Sequence, residues 1–349
     1  MPYENFKPVV EVTRGKTVES VHFGAVAVVE ATGRLLAGCG DPHSVAFLRS
    51  SSKPFQALPL IERGGVEHFG LDEREIAIQC ASHSGTDEHY QVVSAFQQKI
   101  GIREDDLKCG VHPPLHEPTW HQMIRRGEAP TPNRHNCSGK HTGMIAQAKM
   151  RALDYENYLD NDHPVQRTIL QVFAEMCDME EADVILGVDG CSAPVFATPL
   201  FNAALGYARL SDPRSLGEAR AAACRTITGA MMAHPEMVAG PGRFDTAMMQ
   251  AAQGKIFCKV GAEGYEGIGV LPGVLEKDSP GIGIAIKIAD GDLAGRAVPL
   301  VALEVLRQLG ALEDSQIEAL QRFYIRPVLN WRKLEIGEIR PILKLVHYG

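Results

Sequence analysis

Apolar and polar residues near the amino terminus follow a pattern that predicts a β-hairpin. Residues 21–31 read VHFGAVAVVEA, a Thr-Gly pair follows, and residues 34–39 are again mostly apolar. Runs of β-branched and apolar residues on both sides of a glycine-containing turn are typical of paired strands. Two more apolar runs, at 255–260 and 281–289, predict strands near the other end of the chain. The pattern therefore predicts one sheet built from both chain ends.

The middle of the chain has a helical pattern. A helix is predicted from about residue 52 to 63, with Pro54 in its first turn, and another from the cap at Thr86 to Ile100. Further helices are predicted over 138–151, 163–177, 200–210, 213–233, 298–309 and 315–322, with a short strand at 184–188. Five prolines between residues 109 and 134 predict a long irregular loop.

These elements predict an α+β fold in one compound domain spanning residues 1–349. Its sheet part covers about 8–48 and 255–345, and its helical part covers about 50–250. A length of 349 residues is sufficient to bury a substantial core in such a domain.

Composition excludes several classes of function. The chain has 35 basic and 43 acidic residues, so its net charge of −8 speaks against a nucleic-acid partner. No apolar stretch approaches the length of a membrane span, and the opening MPYENFKPVVEV does not resemble an export signal. We therefore expect a cytoplasmic protein without a membrane segment. Eight scattered cysteines without a C-x-x-C pair make a disulfide framework improbable.

The first candidate for chemistry is the segment Arg49-Ser50-Ser51-Ser52-Lys53-Pro54. Side chains three residues apart share one face of a helical turn, so the hydroxyl of Ser50 and the amine of Lys53 can meet. A serine attacks a carbonyl only with a base, and a lysine serves as that base only when burial or a second cation keeps it uncharged. Taken alone, this spacing is also typical of an ordinary helix start.

Two other segments add the parts that a Ser-Lys site needs. Ser82 and His83 lie in a turn that ends in glycine, and Lys259 precedes a glycine at the end of an apolar strand. The order Ser-x-x-Lys, serine turn and Lys-x-Gly resembles the signature of serine β-lactamases and penicillin-binding proteins. A strand lysine close to Lys53 would help to keep that amine neutral.

Two turns carry thiols beside other polar groups. The segment 136–143 reads NCSGKHTG, and its spacing does not fit a phosphate-binding loop. Asp189 and Cys191 follow the predicted strand at 184–188. If the turns converge, Cys137 and Cys191 could bind zinc together with Lys140, Asp189 or His141, although the local spacing is not a zinc signature. The alternative is a capped helix start and a solvated turn.

Five motifs together resemble the rhizobial-type, or class 3, L-asparaginases, which are related in fold to serine β-lactamases and glutaminases. These motifs are RSSSKPFQ at 49–56, ASHSG at 81–85, NCSGKHTG at 136–143, VDGC at 188–191 and KVGAEG at 259–264. The resemblance spans about residues 8–345. It implies a homodimer that hydrolyses L-asparagine to L-aspartate and ammonia.

The resemblance also implies roles for individual residues. Ser50 would be the nucleophile with Lys53 as its base, and Ser82 with Lys259 would form a second pair. Arg49, His83, Asp189 and His141 are the candidate substrate-binding residues, with Arg49 for the substrate carboxylate and Asp189 for its ammonium group. Cys137, Lys140 and Cys191 match positions that can hold a zinc ion, which we expect to be modulatory rather than catalytic.

Two other functions remain open from the sequence. A penicillin-recognising serine acylase or esterase would share the Ser-x-x-Lys motif and would be acylated by β-lactams. A noncatalytic protein that binds a small ligand or a metal would be stabilised by its ligand and would show no turnover.

Overall fold

The computed structural model describes residues 3–348, which form two compact units. The first unit contains the chain up to Ser51, residues 197–212 and the chain from Ala251 onward. The second unit contains residues 52–196 and 213–250. Each unit is thus built from segments that are distant in sequence.

Strands are concentrated at the two ends of the chain and helices in its middle. The strands are β1 (Lys7–Arg14), β2 (Thr17–Glu30), β3 (Leu35–Cys39), β4 (Val45–Phe47), β5 (Ile185–Val188), β6 (Pro194–Pro199), β7 (Ile256–Gly261), β8 (Tyr265–Val270), β9 (Ile282–Ile288), β10 (Arg326–Leu329), β11 (Glu335–Pro341) and β12 (Val346–His347). The α-helices are α1 (Lys53–Glu62), α2 (Gly65–Phe69), α3 (Glu73–Gln79), α4 (Asp87–Ile100), α5 (Glu117–Arg126), α6 (Ser138–Met150), α7 (Pro164–Cys177), α8 (Leu200–Ser211), α9 (Glu218–Ala233), α10 (Pro235–Val238), α11 (Phe244–Ala252), α12 (Val298–Gln308) and α13 (Asp314–Ala319). Among the described residues, no helix combines the length and the apolar character that crossing a membrane requires.

The first unit contains an antiparallel sheet with the strand order β10-β11-β1-β2-β9-β8-β7, and β3 and β12 continue it from β2. Strand β2 from the amino-terminal part pairs with β9 from the carboxy-terminal part, with Val26 opposite Ile286. Both strands are rich in β-branched residues, which pack well on a pleated surface. This pairing confirms the predicted α+β fold, with a sheet from both chain ends and a mainly helical middle.

Helices α8 and α12 pack against this sheet. Every residue of β9 is buried, which requires cover on both faces of the strand. Gly283 permits α8 to approach closely because it has no side chain. A Cβ atom at this position would clash with α8, since it would lie 1.8 Å from the carbonyl oxygen of Ala204. The sequence-based division placed residues 200–210 in the helical part, and in the structure they belong to the sheet-containing unit for this packing reason. That the two units form one compound domain stays a prediction.

In the second unit, helices surround α1. Residues Lys53–Ile61 of this helix are buried, and α6, α7 and α9 pack on it. The edge of the Phe55 ring lies on the Phe173 ring of α7, with centroids 5.5 Å apart. Helix α1 is therefore the central element of this unit and holds its first residue, Lys53, in the interior.

One local prediction was wrong in an instructive way. The proline-rich stretch 109–134 was predicted to be irregular, but it contains α5, whose second residue is a proline and whose end is closed by Gly127 in the left-handed region. Proline is compatible with a first helical turn, and a proline count therefore underestimates helix there. Strand β5 is apolar, as predicted, yet Val188 is 80% exposed.

Candidate active site

Helix α1 is entered through a short 3-10 helix at Arg49–Ser52. Arg49 has a φ of +52°, in the left-handed region, which non-glycine residues adopt only when the surrounding structure holds them there. Pro54 follows as the second residue of α1, where its missing N–H leaves no helical bond unmade. Ser50 thus lies on a constrained turn at the start of the helix. Arg49 and Ser50 belong to the first unit, and Lys53 belongs to the second.

The side chain of Lys53 is buried, with 1% of the residue exposed. Its Nζ donates one hydrogen bond to the carbonyl oxygen of Ala81 and another, 3.1 Å long, to the Oγ of Ser82. A buried amine requires such acceptors, because without them its desolvation is unfavourable. The structure therefore brings Lys53 to Ser82, whereas the sequence hypothesis paired Lys53 with Ser50 and Ser82 with Lys259.

The turn that carries Ser82 is held by bonds from several elements. The backbone N–H of Ser82 donates to Val238, that of His83 donates to Asn136, and the hydroxyl of Ser84 donates to Ala239. Gly85 closes the turn with a φ of +69°, and a Cβ atom there would lie 2.7 Å from a backbone oxygen. These bonds fix the backbone at Ser82, so its hydroxyl is presented to Lys53 in a defined position.

His83 is fully buried and uses both ring nitrogens within the protein. The backbone N–H of Gly85 donates to Nδ1, so Nε2 carries the proton and donates to the Oγ of Ser138 at 2.8 Å. Ser138 in turn donates to the carbonyl oxygen of Asn133. This network connects the turn to the start of α6 and favours a positioning role for His83; the substrate contact proposed from the sequence stays a prediction.

Two stacked histidines make the second unit sensitive to acid. The rings of His83 and His89 are 5.0 Å apart, and burial lowers the pKa of both below the usual value. Their neutral form stabilises the fold fully above the unfolded-state pKa of about 6.5, and this stabilisation is lost as the pH falls. We expect the free energy of unfolding at pH 5 to be lower than at pH 7 by up to about 2 kcal/mol per histidine.

Urea unfolding at the two pH values measures this difference. The variant His89→Gln is expected to show a smaller pH dependence than the parent protein, and His121→Gln, at an exposed position of α5, should leave it unchanged. An equal pH dependence in all three proteins would contradict the assignment to His89.

The two thiol-bearing turns predicted from the sequence do converge. Cys137 precedes α6, Lys140 lies in its first turn, and the Nζ of Lys140 is 2.9 Å from the Sγ of Cys191 in the turn after β5. All three residues are buried, as is His141. The Nδ1 of His141 is 2.6 Å from the hydroxyl of Tyr158, and the imidazole also interacts with the sulfur of Cys191.

The electrostatics of this cluster favour one negative sulfur. A hydrogen bond with Cys137 lowers the pKa of the Cys191 thiol, and the same interaction raises the pKa of Cys137. Burial alone lowers the pKa of Lys140, but the charges on the nearby sulfurs outweigh burial and raise it above its usual value. Burial lowers the pKa of His141 to about 4. These shifts favour a thiolate at Cys191 beside a protonated Lys140, with a neutral thiol at Cys137 and a neutral imidazole at His141.

The donor atoms of this cluster fit a zinc ion. Two sulfurs are ligands that Zn²⁺ accepts, and an uncharged amine can supply a nitrogen beside them. The residues that would hold the ion are Cys137, Lys140 and Cys191. Lys140 would have to lose its proton first, so binding would release protons and weaken in acid.

Asp189 lies in the turn next to this cluster. Its Oδ1 accepts the N–H of Gly190, and its Oδ2 is 4.0 Å from the sulfur of Cys191. Ser192 has a φ of +69°, so the turn is tight as well as polar. The binding of a substrate ammonium group by Asp189 stays a prediction.

In the first unit, the backbone that leads to Ser50 packs against the end of β7. Lys259 on β7 is fully buried and its Nζ donates to the carbonyl oxygen of Val260 at 2.8 Å. A Cβ atom on Gly261 would lie 2.3 Å from the carbonyl oxygen of Leu48, so glycine is needed there for close approach. The Lys-x-Gly motif and the Ser50 segment are therefore neighbours within this unit.

Sequence reasoning missed the residues that support the site. Ser138 anchors His83, and Tyr158 lies on His141 although it comes from an irregular segment without a recognisable motif. His112 and His135 also pack together, with ring centroids 4.3 Å apart. The Nε2 of His112 accepts the backbone N–H of Asn136. The proline-rich stretch therefore contributes His112 to the surroundings of Cys137, because His112 accepts a hydrogen bond from the neighbouring Asn136.

The chain matches one family of known sequences and several solved structures. The sequence model of the family described as L-asparaginase II matches residues 10–341. Among solved structures, a probable glutaminase from Bacillus subtilis complexed with 6-diazo-5-oxo-L-norleucine is 14% identical; 83% of this chain and 84% of that chain are covered, with a TM-score of 0.39. A Bacillus glutaminase in the presence of 4.3 M NaCl is 15% identical, with 82% and 90% covered and a TM-score of 0.37. No curated protein sequence matches the chain.

Proposed function

Because the chain belongs to the L-asparaginase II family, we propose that it hydrolyses the side-chain amide of L-asparagine to L-aspartate and ammonia. The family match confirms the resemblance drawn from the five motifs and makes the protein an amidohydrolase. The observation that carries the proposal beyond the family is the buried contact between Lys53 and Ser82, since it supplies an amine and a hydroxyl in hydrogen-bond contact inside the protein.

The proposed reaction forms and breaks an acyl-enzyme. The Oγ of Ser50 attacks the side-chain amide carbon while Lys53, as the uncharged amine, takes the hydroxyl proton. The tetrahedral intermediate collapses with cleavage of the C–N bond, and the leaving ammonia receives a proton through Ser82, which contacts Lys53. Lys259 is proposed as the amine that assists Ser82. A water molecule then hydrolyses the β-aspartyl ester, releases L-aspartate and returns the proton to Ser50.

Substrate recognition is proposed to depend on charge. Arg49 would pair with the α-carboxylate and Asp189 with the α-ammonium group, since a free amino acid presents both. His141 is proposed to line the binding site beside them. A zinc ion bound by Cys137, Lys140 and Cys191 would supply a Lewis acid beside the proposed substrate site.

An ammonia-release assay tests the proposal. L-Asparagine, L-glutamine and the two D-isomers are offered separately, and we expect release chiefly from L-asparagine. Incubation with penicillin followed by intact-mass measurement is the companion experiment, because a penicillin-recognising acylase would gain the mass of the drug. Stable acylation without ammonia release from any of the four amides would replace the proposal with the acylase.

Removal of the metal is expected to change binding more than chemistry. If zinc is modulatory, a chelator raises the KM for L-asparagine several-fold and leaves kcat within about twofold, because the proposed Ser-Lys steps do not pass through the ion. Kinetics before and after dialysis against a chelator, with metal content measured alongside, check this. Loss of all activity on chelation, with recovery on adding zinc, would instead indicate a catalytic ion.

The resemblance also implies self-association, and we propose a homodimer. Light scattering coupled to size exclusion gives the mass in solution directly, and a single 38.0 kDa species at all concentrations would contradict the proposal. A cytoplasmic location stays a prediction.

A further inference from the structure

A short hydrogen bond joins Lys140 and Cys191 in the interior of the second unit. The Nζ of Lys140 and the Sγ of Cys191 are 2.9 Å apart, and 4% and 2% of the two residues are exposed. Lys140 is anchored in the first turn of α6, and Cys191 in the tight turn that Ser192 closes with a positive φ. Two different elements therefore hold an amine and a sulfur in direct contact.

In this metal-free structure the two atoms lie closer together than they would as ligands of one zinc ion. Ligands at about 2.0 Å for nitrogen and 2.3 Å for sulfur, in tetrahedral arrangement around zinc, are separated by about 3.5 Å. The observed pair is about 0.6 Å closer than that. The two atoms are thus placed to be bridged by a single small atom.

We infer that Lys140 and Cys191 form a covalent N–O–S crosslink when the metal-free protein meets dioxygen. The amine loses one hydrogen and the thiol loses one hydrogen. One oxygen atom of O₂ forms bonds to both Nζ and Sγ, and the other takes the two hydrogens and leaves as water. Nitrogen and sulfur are each oxidised by two electrons, and dioxygen is reduced by four. Two molecules of a dithiol supply the four electrons and four protons that reduce the bridge to amine, thiol and water, and both become disulfides.

Cys191 differs from Cys109 in having an amine beside its sulfur. The sulfur of Cys109, by contrast, contacts the carbonyl oxygens of Gly110 and Pro132, which offer no group that could be bridged. The crosslink uses two of the three residues proposed for zinc, so the metal and the crosslink exclude one another. It would fasten the turn after β5 to α6 and occupy the side of the cluster next to Asp189. The inference does not depend on the amidase assignment.

Peptide mapping by mass spectrometry tests the inference. The metal-free full-length protein is incubated in air, digested without reduction and compared with a sample kept anaerobic. We expect a peptide pair joining residues 140 and 191 whose mass exceeds the sum of the two by one oxygen less two hydrogens, and which separates again with dithiothreitol. Prior loading with zinc should suppress the pair.

Three variants complete the experiment. Lys140→Arg keeps the positive charge and Cys191→Ser keeps the size, and each should abolish the pair. Cys137→Ser should leave the pair intact, because that thiol takes no part in the bond. A Cys137–Cys191 disulfide, a loss of two hydrogens without oxygen gain, or no linked product after prolonged aeration would each overturn the inference. Circular dichroism confirms that the compared variants are folded.

Discussion

Replacement of Ser50 by alanine is expected to lower kcat for L-asparagine by about ten-thousandfold or more, because no acyl-enzyme can form without the nucleophile. The free energy of unfolding should change by less than about 1 kcal/mol, since Ser50 is only half-buried. Steady-state ammonia release and urea unfolding measure the two quantities.

Ser51→Ala is the matched control for this prediction. Ser51 is adjacent, fully buried and donates its hydroxyl to the carbonyl oxygen of Leu48. Its loss should lower stability by about 1 kcal/mol and leave kcat within a few-fold of the parent value. An active Ser51→Ala variant would show that the loss of activity in Ser50→Ala comes from the missing Ser50 hydroxyl and not from a general disturbance of this turn.

Ser82→Ala separates the two possible nucleophiles. If Ser82 relays a proton, its removal lowers kcat by about a hundredfold to a thousandfold, less than removal of Ser50. A covalent adduct with a reactive asparagine analogue should still form on Ser50 in that variant. Near-normal turnover in Ser50→Ala, together with complete loss in Ser82→Ala, would transfer the nucleophile to Ser82, to which Lys53 already donates a hydrogen bond.

Gly283→Ala is expected to produce the largest loss of stability, about 3 kcal/mol. The new methyl group would lie 1.8 Å from the carbonyl oxygen of Ala204 and 2.4 Å from the backbone nitrogen of Ala208. Backbone atoms of a helix cannot move aside singly, so α8 as a whole must shift from the sheet. Thermal and urea unfolding measure the effect.

Gly229→Ala provides a control with the opposite expected sign. Gly229 lies inside α9, and no neighbouring atom is within 4 Å of the position that a Cβ would take. Alanine has the higher helix propensity and restricts the unfolded chain, so we expect a gain of about 0.5–1 kcal/mol. Destabilisation of the same size at both positions would show that packing of α8 on β9 is not the cause.

The sequence predicted individual helices and strands correctly where residues close together in the chain determine them. The hairpin of β2 and β3 follows from apolar runs around a glycine turn, and α4 begins at Thr86, whose side chain accepts the N–H of His89. Helix α5 was missed because the density of prolines was given more weight than their position in the first turn. Strand β5 was predicted, although an apolar run does not reveal whether a strand is covered.

The family and the residue types of the site were likewise accessible from the sequence, because reactive groups in short motifs must keep their spacing. The meeting of Lys140 with Cys191 was implied by the resemblance, and the structure shows it. Other contacts were not accessible: Lys53 reaches Ser82 across 29 positions, and Tyr158 joins His141 without any motif.

The sequence by itself determined the periodicities, the caps and the chemical groups, since those depend on neighbours along the chain. Only the tertiary structure decided the hydrogen bond between Lys53 and Ser82, the burial that lowers the pKa of the histidines and the close approach at Gly283. These features depend on burial and on contacts between distant segments, which no local pattern encodes.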